Sequence, residues 1–181
     1  MKATETILKG CFVLEPTIYE DERGVFYEAY NKATFEKGIG KKVDFVQDNH
    51  SVSQKGVLRG LHFQTGRNAQ AKLLRVVKGE VLDVVVDLRK ESATFGKHFK
   101  IQLSESNKKM LFIPKGMAHG FLVLKEETIF SYKCDNYYKK EADSGIFYDD
   151  ADLNIDWEFP KEDIILSHKD KNLQSFKEFC E

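Results

Sequence analysis

The feature that most limits what this chain can become is a succession of short apolar runs, each closed off by turn residues. "GVFYEAY", "VDFVQDN", "KLLRVV", "EVLDVVVDLR", "HFKIQLS", "KMLFIP", "GFLVL" and "TIFSYKC" are rich in β-branched and aromatic residues. Many short strands at this spacing specify a sandwich or barrel, so the fold is expected to be mainly β, built of antiparallel strands. One segment departs from the pattern. "NKATFEKGIG" reads as a short helix, with Asn31 as its N-cap and Gly38 as its stop. The tail after Asp156 has room for one or two further helical turns. No internal repeat, low-complexity tract or Pro/Ser-rich linker divides the chain, and residues 1–181 are read as one domain.

Charge and cysteine content exclude several classes of function. Lys+Arg number 28 and Asp+Glu 29, a formal net charge of −1, which leaves no footprint for nonspecific nucleic-acid binding. A few converging arginines could still form a local anion site. Cys11, Cys134 and Cys180 are far apart and odd in number, which fits reduced thiols in a cytoplasm better than a disulfide framework or a zinc knuckle. The N-terminal "MKATETILKGCFVLEP" is broken by Glu5, Lys9 and Glu15 and makes a poor signal peptide. No apolar run approaches the roughly 18–20 residues of a membrane helix. The expectation is a cytoplasmic protein that engages neither membrane nor nucleic acid.

Two places put polar groups where a simple core would not. Lys78-Gly79 signals a two-residue hairpin, which would set Val77 opposite Glu80 and Lys72 opposite Val85. Alternation along the strands then gives Lys72, Leu74 and Val76 one face with Val81, Asp83 and Val85. Either that face is outward and carries a surface ion pair, or the two charges meet inside; the pattern leaves both open. In "GVLRGLHFQ", Arg59, His62 and Gln64 fall within six positions. Arg59 and His62 differ by three, so a regular strand would send them to opposite faces. If they serve one site, the strand must bulge or kink, and Gly60 is the place for it. Otherwise Arg59 acts from a rim or a subunit interface.

"IPKGMAHGF", with Pro114, Gly116 and His119, resembles the second motif of cupin barrels, and "GVLRGLHFQ" stands where the first would be. Metal cupins close their site with His-x-His, a following Glu and the later His. Here Gln64 and Lys72 occupy two of those four positions, and a lysine beside a divalent ion is electrostatically wrong. The resemblance sharpens when segments are read together. "DERGVFYEAY", "FVQDNHSVSQKGVLRGLHFQ", "AKLLRVVKGEVLDVVVDLR", "IPKGMAHGF", "YKCDNYY" and "LSHKD" resemble the dTDP-4-dehydrorhamnose 3,5-epimerase family in order and spacing, from about Ile7 to Asp170. The resemblance implies a cupin-type jelly roll with a few short helices, a metal-free site needing no cofactor, a homodimer, and a place in dTDP-L-rhamnose biosynthesis.

It also implies roles. His62 resembles the family's base, Asp170 the carboxylate that fixes its tautomer, Lys72 the cation for the enolate, and Tyr132 the acid at C5 on the opposite face. His119 fits a donor near the sugar oxygens, and Asp83 an orienting partner for Lys72 or His119. For the dTDP-linked substrate, Arg59 leads the diphosphate candidates, followed by Arg23 and Lys169. Gln47 and Asn49 offer amides, while Glu28 and Tyr138 resemble nucleoside contacts, Tyr138 by stacking. The segment carrying Arg23 and Glu28 is expected to reach the neighbouring subunit's site. Asp143 stands where the family commonly has Glu, with Glu141 close by, and His168 is read as incidental. Taken singly, each residue has a plain structural alternative: a core histidine or tyrosine, an exposed strand lysine, a surface carboxylate. The alternatives for the whole are a 3- or 5-only epimerase, a 3,4-ketoisomerase on another nucleotide-deoxysugar, or a non-catalytic sugar-binding cupin.

Overall fold

A computed structural model describes residues 1–181. Its strands, in chain order, are β1 (Lys2–Glu5), β2 (Phe12–Glu15), β3 (Tyr19–Asp21), β4 (Gly24–Phe26), β5 (Gln47–Ser53), β6 (Leu58–Gln64), β7 (Lys72–Lys78), β8 (Glu80–Asp87), β9 (His98–Ser104), β10 (Met110–Ile113), β11 (Met117–Val123), β12 (Thr128–Cys134) and β13 (Asp143–Gly145). Helix α1 spans Lys32–Ile39 and α2 spans Phe176–Cys180. One sheet has the order β1-β2-β10-β7-β12-β5, the other β13-β6-β11-β8-β9, and β3-β4 form a separate hairpin. The named strand pairings are antiparallel, and the two sheets form a cupin-type jelly roll.

Alternation sorts the apolar residues into three layers. Leu74, Val76, Val81, Val85, Phe121 and Phe130 point between the sheets. Leu82, Val84, Val86, Ala118 and Leu122, one step along β8 and β11, point out from the five-stranded sheet and are covered by Tyr148, Leu153, Ile155 and Trp157. Leu14, Leu73, Met110 and Phe112 point out from the six-stranded sheet under α1, against Phe35 and Ile39. Phe130 is fully buried, and its truncation to Ala would cost about 3–5 kcal/mol.

Three expectations change. Lys78-Gly79 is no hairpin: β7 belongs to one sheet and β8 to the other, so Val77 and Glu80 do not pair, and Lys72 lies beside Ile113 and Cys134. β8 is apolar on both faces and takes a central place between β11 and β9, which removes it from its chain neighbour. The chain crosses at Gly79, at φ +85°, where a Cβ would lie 2.2 Å from Thr128 Oγ1. The shared facing survives, because both strands look into the space between the sheets. Asp83 is fully buried there, which rules out the surface ion pair. In α1, Asn31 does cap the N-terminus by accepting from the Thr34 N–H, but the helix runs through Gly38 and stops at Gly40, at φ +67°. Finally, only Gly24–Phe26 of "GVFYEAY" is strand, and "VDFVQDN" turns extended only at Gln47. The tail does supply its turns, as single 3-10 turns at Lys161–Asp163 and Asp170–Asn172 and then α2.

Candidate active site

The pairing of β6 with β11 slips between His119 and Phe121, beside Gly60. Gly60 has φ +141°, and a Cβ there would lie 2.4 Å from Gly120 Cα, so no other residue fits this close approach. The slip resolves the parity problem. Arg59 and His62 line one cavity of about 620 Å³, together with Lys72, His119, Tyr132 and Asp170. A smaller hollow of about 390 Å³ shares His62, Lys72, Tyr132 and Lys169 with it and adds Gln47, Tyr138 and Asp143.

His62 is partly exposed to the cavity, and its Nε2 donates to Asp170 Oδ1 at 2.6 Å. Nδ1 is thereby left as the basic nitrogen. Burial pushes the Asp170 carboxyl up, but hydrogen bonds from His62, Ser167 and the Gly60 backbone outweigh it and hold the group below the ordinary carboxylate range. Across the cavity, burial draws Lys72 below its usual value, opposed by Cys134, Asp83 and Asp143. Its Nζ lies 5.9 Å from the centre of the Tyr132 ring. Burial raises the Tyr132 phenol to about 12, so it carries its proton at neutral pH. His119 Nε2 donates to Asp83 Oδ2 at 2.9 Å. Burial lowers His119 and raises Asp83, each against the pull of the other. The stacked rings of Phe121 and Phe130 flank His119.

The second hollow is tied together from both sheets. Gln47 Oε1 accepts from the Tyr138 N–H and Gln64 Oε1 from the Lys139 N–H, both at 2.9 Å. Gln64, where a metal cupin would have a ligand, is thus a fastener for this loop. Gln47 Nε2 donates to Asn49 Oδ1 at 3.1 Å, and Asn49 Nδ2 to Cys134 Sγ at 3.6 Å. Tyr138 Oη donates to Asp143 Oδ2 at 3.0 Å, and Asp143 also pairs with Lys169. Arg59, on the rim, donates to Ser53 Oγ from Nε and Nη2 at 3.4 and 3.2 Å. No three His, Cys, Asp or Glu side chains gather at metal-binding spacing.

The model of the dTDP-4-dehydrorhamnose 3,5-epimerase family matches residues 5–178. The chain belongs to this family. It is 50% identical over 176 residues to the dTDP-4-dehydrorhamnose 3,5-epimerase of Shigella flexneri, covering 97% of this chain and 96% of that one. The crystal structure of the Elizabethkingia anophelis NUHP1 epimerase superposes with a TM-score of 0.95 at 53% identity, over 98% of this chain and 97% of that chain. An epimerase from Legionella pneumophila Philadelphia 1, solved in complex with dTDP-4-keto-L-rhamnose, gives 0.93 at 45% identity, over 97% and 93%.

Within this epimerase-family chain, the expected site residues divide in two. His62, Lys72, Tyr132, His119, Asp170 and Arg59 meet in the larger cavity, and Asp83 stands behind His119. Gln47, Asn49, Tyr138, Asp143 and Lys169 meet in the smaller one. Arg23 and Glu28 are not brought to either. Arg23 pairs with Asp21 at 2.5 Å on the exposed β3-β4 hairpin, and Glu28 accepts from Asn31 Nδ2. Asp143, not Glu141, is the carboxylate that engages Tyr138 and Lys169. His168 is exposed and offers only its backbone carbonyl, to Asn172. Sequence reasoning missed Ser53, Phe121 and Ser167. Ser53 follows Gln47 and Asn49 at the alternating spacing of β5, and Phe121 follows His119 on β11, so parity could have found both. Ser167 had no local signal.

Proposed function

We propose that this chain is an isomerase that converts dTDP-4-dehydro-6-deoxy-D-glucose to dTDP-4-dehydro-L-rhamnose by inverting C3 and C5, in the formation of dTDP-L-rhamnose. The observation that carries the reading is the convergence of a carboxylate-held histidine, a desolvated lysine and a protonated tyrosine on one cavity. The C4 ketone makes the hydrogens on C3 and C5 removable, because the electron pair left behind moves into the carbonyl as an enolate. His62 Nδ1 takes the proton, and Asp170 steadies the imidazolium that results. Lys72 faces the developing oxyanion, where a fixed cation in a dry pocket counts for far more than in water. His119, held neutral by burial and anchored by Asp83, is placed beside the sugar oxygens. Tyr132 returns a proton at C5 from the opposite face and is replenished from solvent; C3 takes its proton from solvent, and His62 releases to solvent each proton it has taken. Atoms and electrons balance with proton movement alone, and the chemistry calls for no redox cofactor or metal.

The diphosphate and nucleoside are assigned to the adjoining hollow, with Lys169 in it and Arg59 on the rim of the larger cavity for the phosphates, the Gln47 and Asn49 amides beside them, and Tyr138 for stacking. Asp143 serves that end by holding Tyr138 and Lys169. The chain is read as a homodimer in which the segment carrying Arg23, on the β3-β4 hairpin, and Glu28, just after it, reaches the neighbour's site. Tyr19 and Phe26 on that hairpin are 62% and 68% exposed, which supports a partner there. The protein is assigned to the cytoplasm on its three unpaired cysteines, and no helix is long and apolar enough to cross a membrane.

The deciding experiment is turnover of dTDP-4-keto-6-deoxyglucose in deuterated water. Deuterium is expected at both C3 and C5. Label at one carbon alone would make the chain a monoepimerase, and binding without label would make it a sugar-binding module. Sedimentation is expected to give a dimer, and a monomer at working concentration would remove the shared-site reading.

A further inference from the structure

The 2.6 Å bond between His62 and Asp170 joins residues 108 apart in sequence, and its carboxylate comes from a single 3-10 turn. Something must hold that turn, because a freely moving tail would lose backbone entropy on each closure. Two parallel bridges flank it, Val57 with Ile165 on one side and Ile146 with Gln174 on the other. The second is made by the Phe147 N–H donating to Gln174 O at 2.8 Å, with Gln174 Nε2 donating to Ser144 Oγ at 3.2 Å. Gly145, the register partner of His62 on β13, leaves room for the turn: a Cβ there would lie 2.8 Å from Leu173 Cδ1.

Beyond Gln174 the chain enters α2. Five residues are far too few to be helical on their own. Its contacts hold it. Ser175 and Glu178 form a capping box, and the Phe176 N–H donates to Asp150 Oδ2 at 2.8 Å. The Phe176 ring packs on Phe95, with centres 5.4 Å apart. Phe179 meets Phe63 edge-on, with centres 5.5 Å apart and planes at 80°. Phe63 follows His62 on β6 and points to the other face of the sheet. One small element therefore grips both halves of the dyad from behind, the histidine through Phe63 and the carboxylate through Gln174.

We infer that the segment Gln174–Cys180 is the positioning element of the proton-abstracting pair, with Phe179 as its principal contact. The inference rests on the function proposed above for that pair. Phe179 touches no reacting atom; it acts by keeping imidazole and carboxylate at bonding distance, and small misplacements of such groups are costly.

The test is Phe179→Ala in the intact protein, read three ways beside a thermal melt. First, kcat is expected to fall about tenfold to a hundredfold while KM stays within about twofold, since the loss lies in the chemical step and not in nucleotide binding. Second, the low-field imidazole N–H proton of the His62–Asp170 bond, assigned by its absence in His62→Ala, is expected to broaden into exchange with water. Third, Phe179→Leu is expected to restore most of both. Glu178→Ala breaks the capping box at an exposed position and is expected to produce a smaller loss in the same sense; it carries the test if Phe179→Ala does not fold. A folded variant with wild-type kcat and an intact low-field resonance overturns the inference, as does a loss confined to KM. The two readings fail separately. Deuterium exchange that survives His62→Ala removes the assignment of the base, while the resonance still reports whether α2 holds the pair.

Discussion

His62 and His119 are register partners on adjoining strands, and each is bonded through Nε2 to an aspartate. Their settings differ at almost every other point. The His62 side chain keeps 29% of its exposure and takes its carboxylate from a remote turn; that of His119 keeps 6% and takes its own from the next strand of the same sheet. Asp170 is held below the ordinary carboxylate range by three donors, whereas Asp83 is pushed up by burial and leaves Oδ1 without a partner. Under the proposed function, the contrast lets one pair of residue types serve two purposes. A base must reach its proton and be free to carry charge, so it sits at the cavity wall with an ionised partner. A fixed donor must not change charge during the reaction, so it is buried, stacked on aromatic rings and kept neutral.

The comparison breaks most decisively at His62. His62→Ala is expected to remove deuterium incorporation at both C3 and C5 while leaving dTDP binding, followed by calorimetry, nearly unchanged. Asp170→Asn keeps the shape but not the charge, and is expected to lower turnover about 10²–10⁴-fold, the range of a lost acid–base function. His119→Gln, the matching change in the buried pair, should cost far less in turnover. Equal losses in the two pairs would erase the distinction. Next in size is Lys72→Met, which removes the desolvated cation of the cavity. About 10²–10³-fold in kcat is expected, the scale of a lost oxyanion donor. Tyr132→Phe is more selective: label should persist at C3 and fall at C5, read carbon by carbon in the NMR spectrum of the product. A uniform fall at both carbons would take away its separate role.

How much of this was legible beforehand follows from the range of each signal. Strand character is a local property and mostly read correctly, and alternation gave Lys72, Leu74 and Val76 one face shared with Asp83 but left open whether that face points inward. The assignment of β7 and β8 to different sheets is not local. It depends on β8 being apolar on both faces and so needing strands on either side, which a Lys-Gly turn signal conceals. Gly60 was legible as the place for a kink if Arg59 and His62 served one site, since their spacing of three cannot put both on one face of a regular strand. Gly38 misled because a helix can run through glycine when a better left-handed stop, Gly40, lies two residues on. Among site residues, those placed by strand parity could be found by counting, and Ser53 and Phe121 were within reach. Asp170 came from the family resemblance, since nothing local tells a tail aspartate that it will meet a histidine on β6. Arg23, in the turn of the β3-β4 hairpin, and Glu28, just beyond it, lie away from both cavities, and nothing local in the sequence fixes where that exposed segment goes.

The smallest expected effect probes the buried pair alone. His119 is lowered chiefly by burial; the charged or titratable groups acting on it are Asp83, which opposes the shift, and Lys72 and His62, which add to it. A histidine with a lowered pKa binds fewer protons folded than unfolded. Its contribution to stability is therefore full above the ordinary value of 6.5 and declines as pH falls below it, levelling off under the folded pKa. The slope is at most about 1.4 kcal/mol per pH unit for one group. His98 is lowered too and has the same sign, and Asp83, raised by burial, has the opposite one. His98 does not depend on His119, but Asp83 loses the pull of His119 in His119→Gln and is raised further, which also flattens the variant's fall as pH drops; the difference between the two proteins therefore reports the His119–Asp83 pair. Urea midpoints between pH 7.5 and 5 should fall more steeply for the natural protein than for the variant. Coincident slopes would mean that His119 takes up its proton as readily folded as unfolded, and the contrast between a mobile-proton pair and a locked one would lose its physical basis.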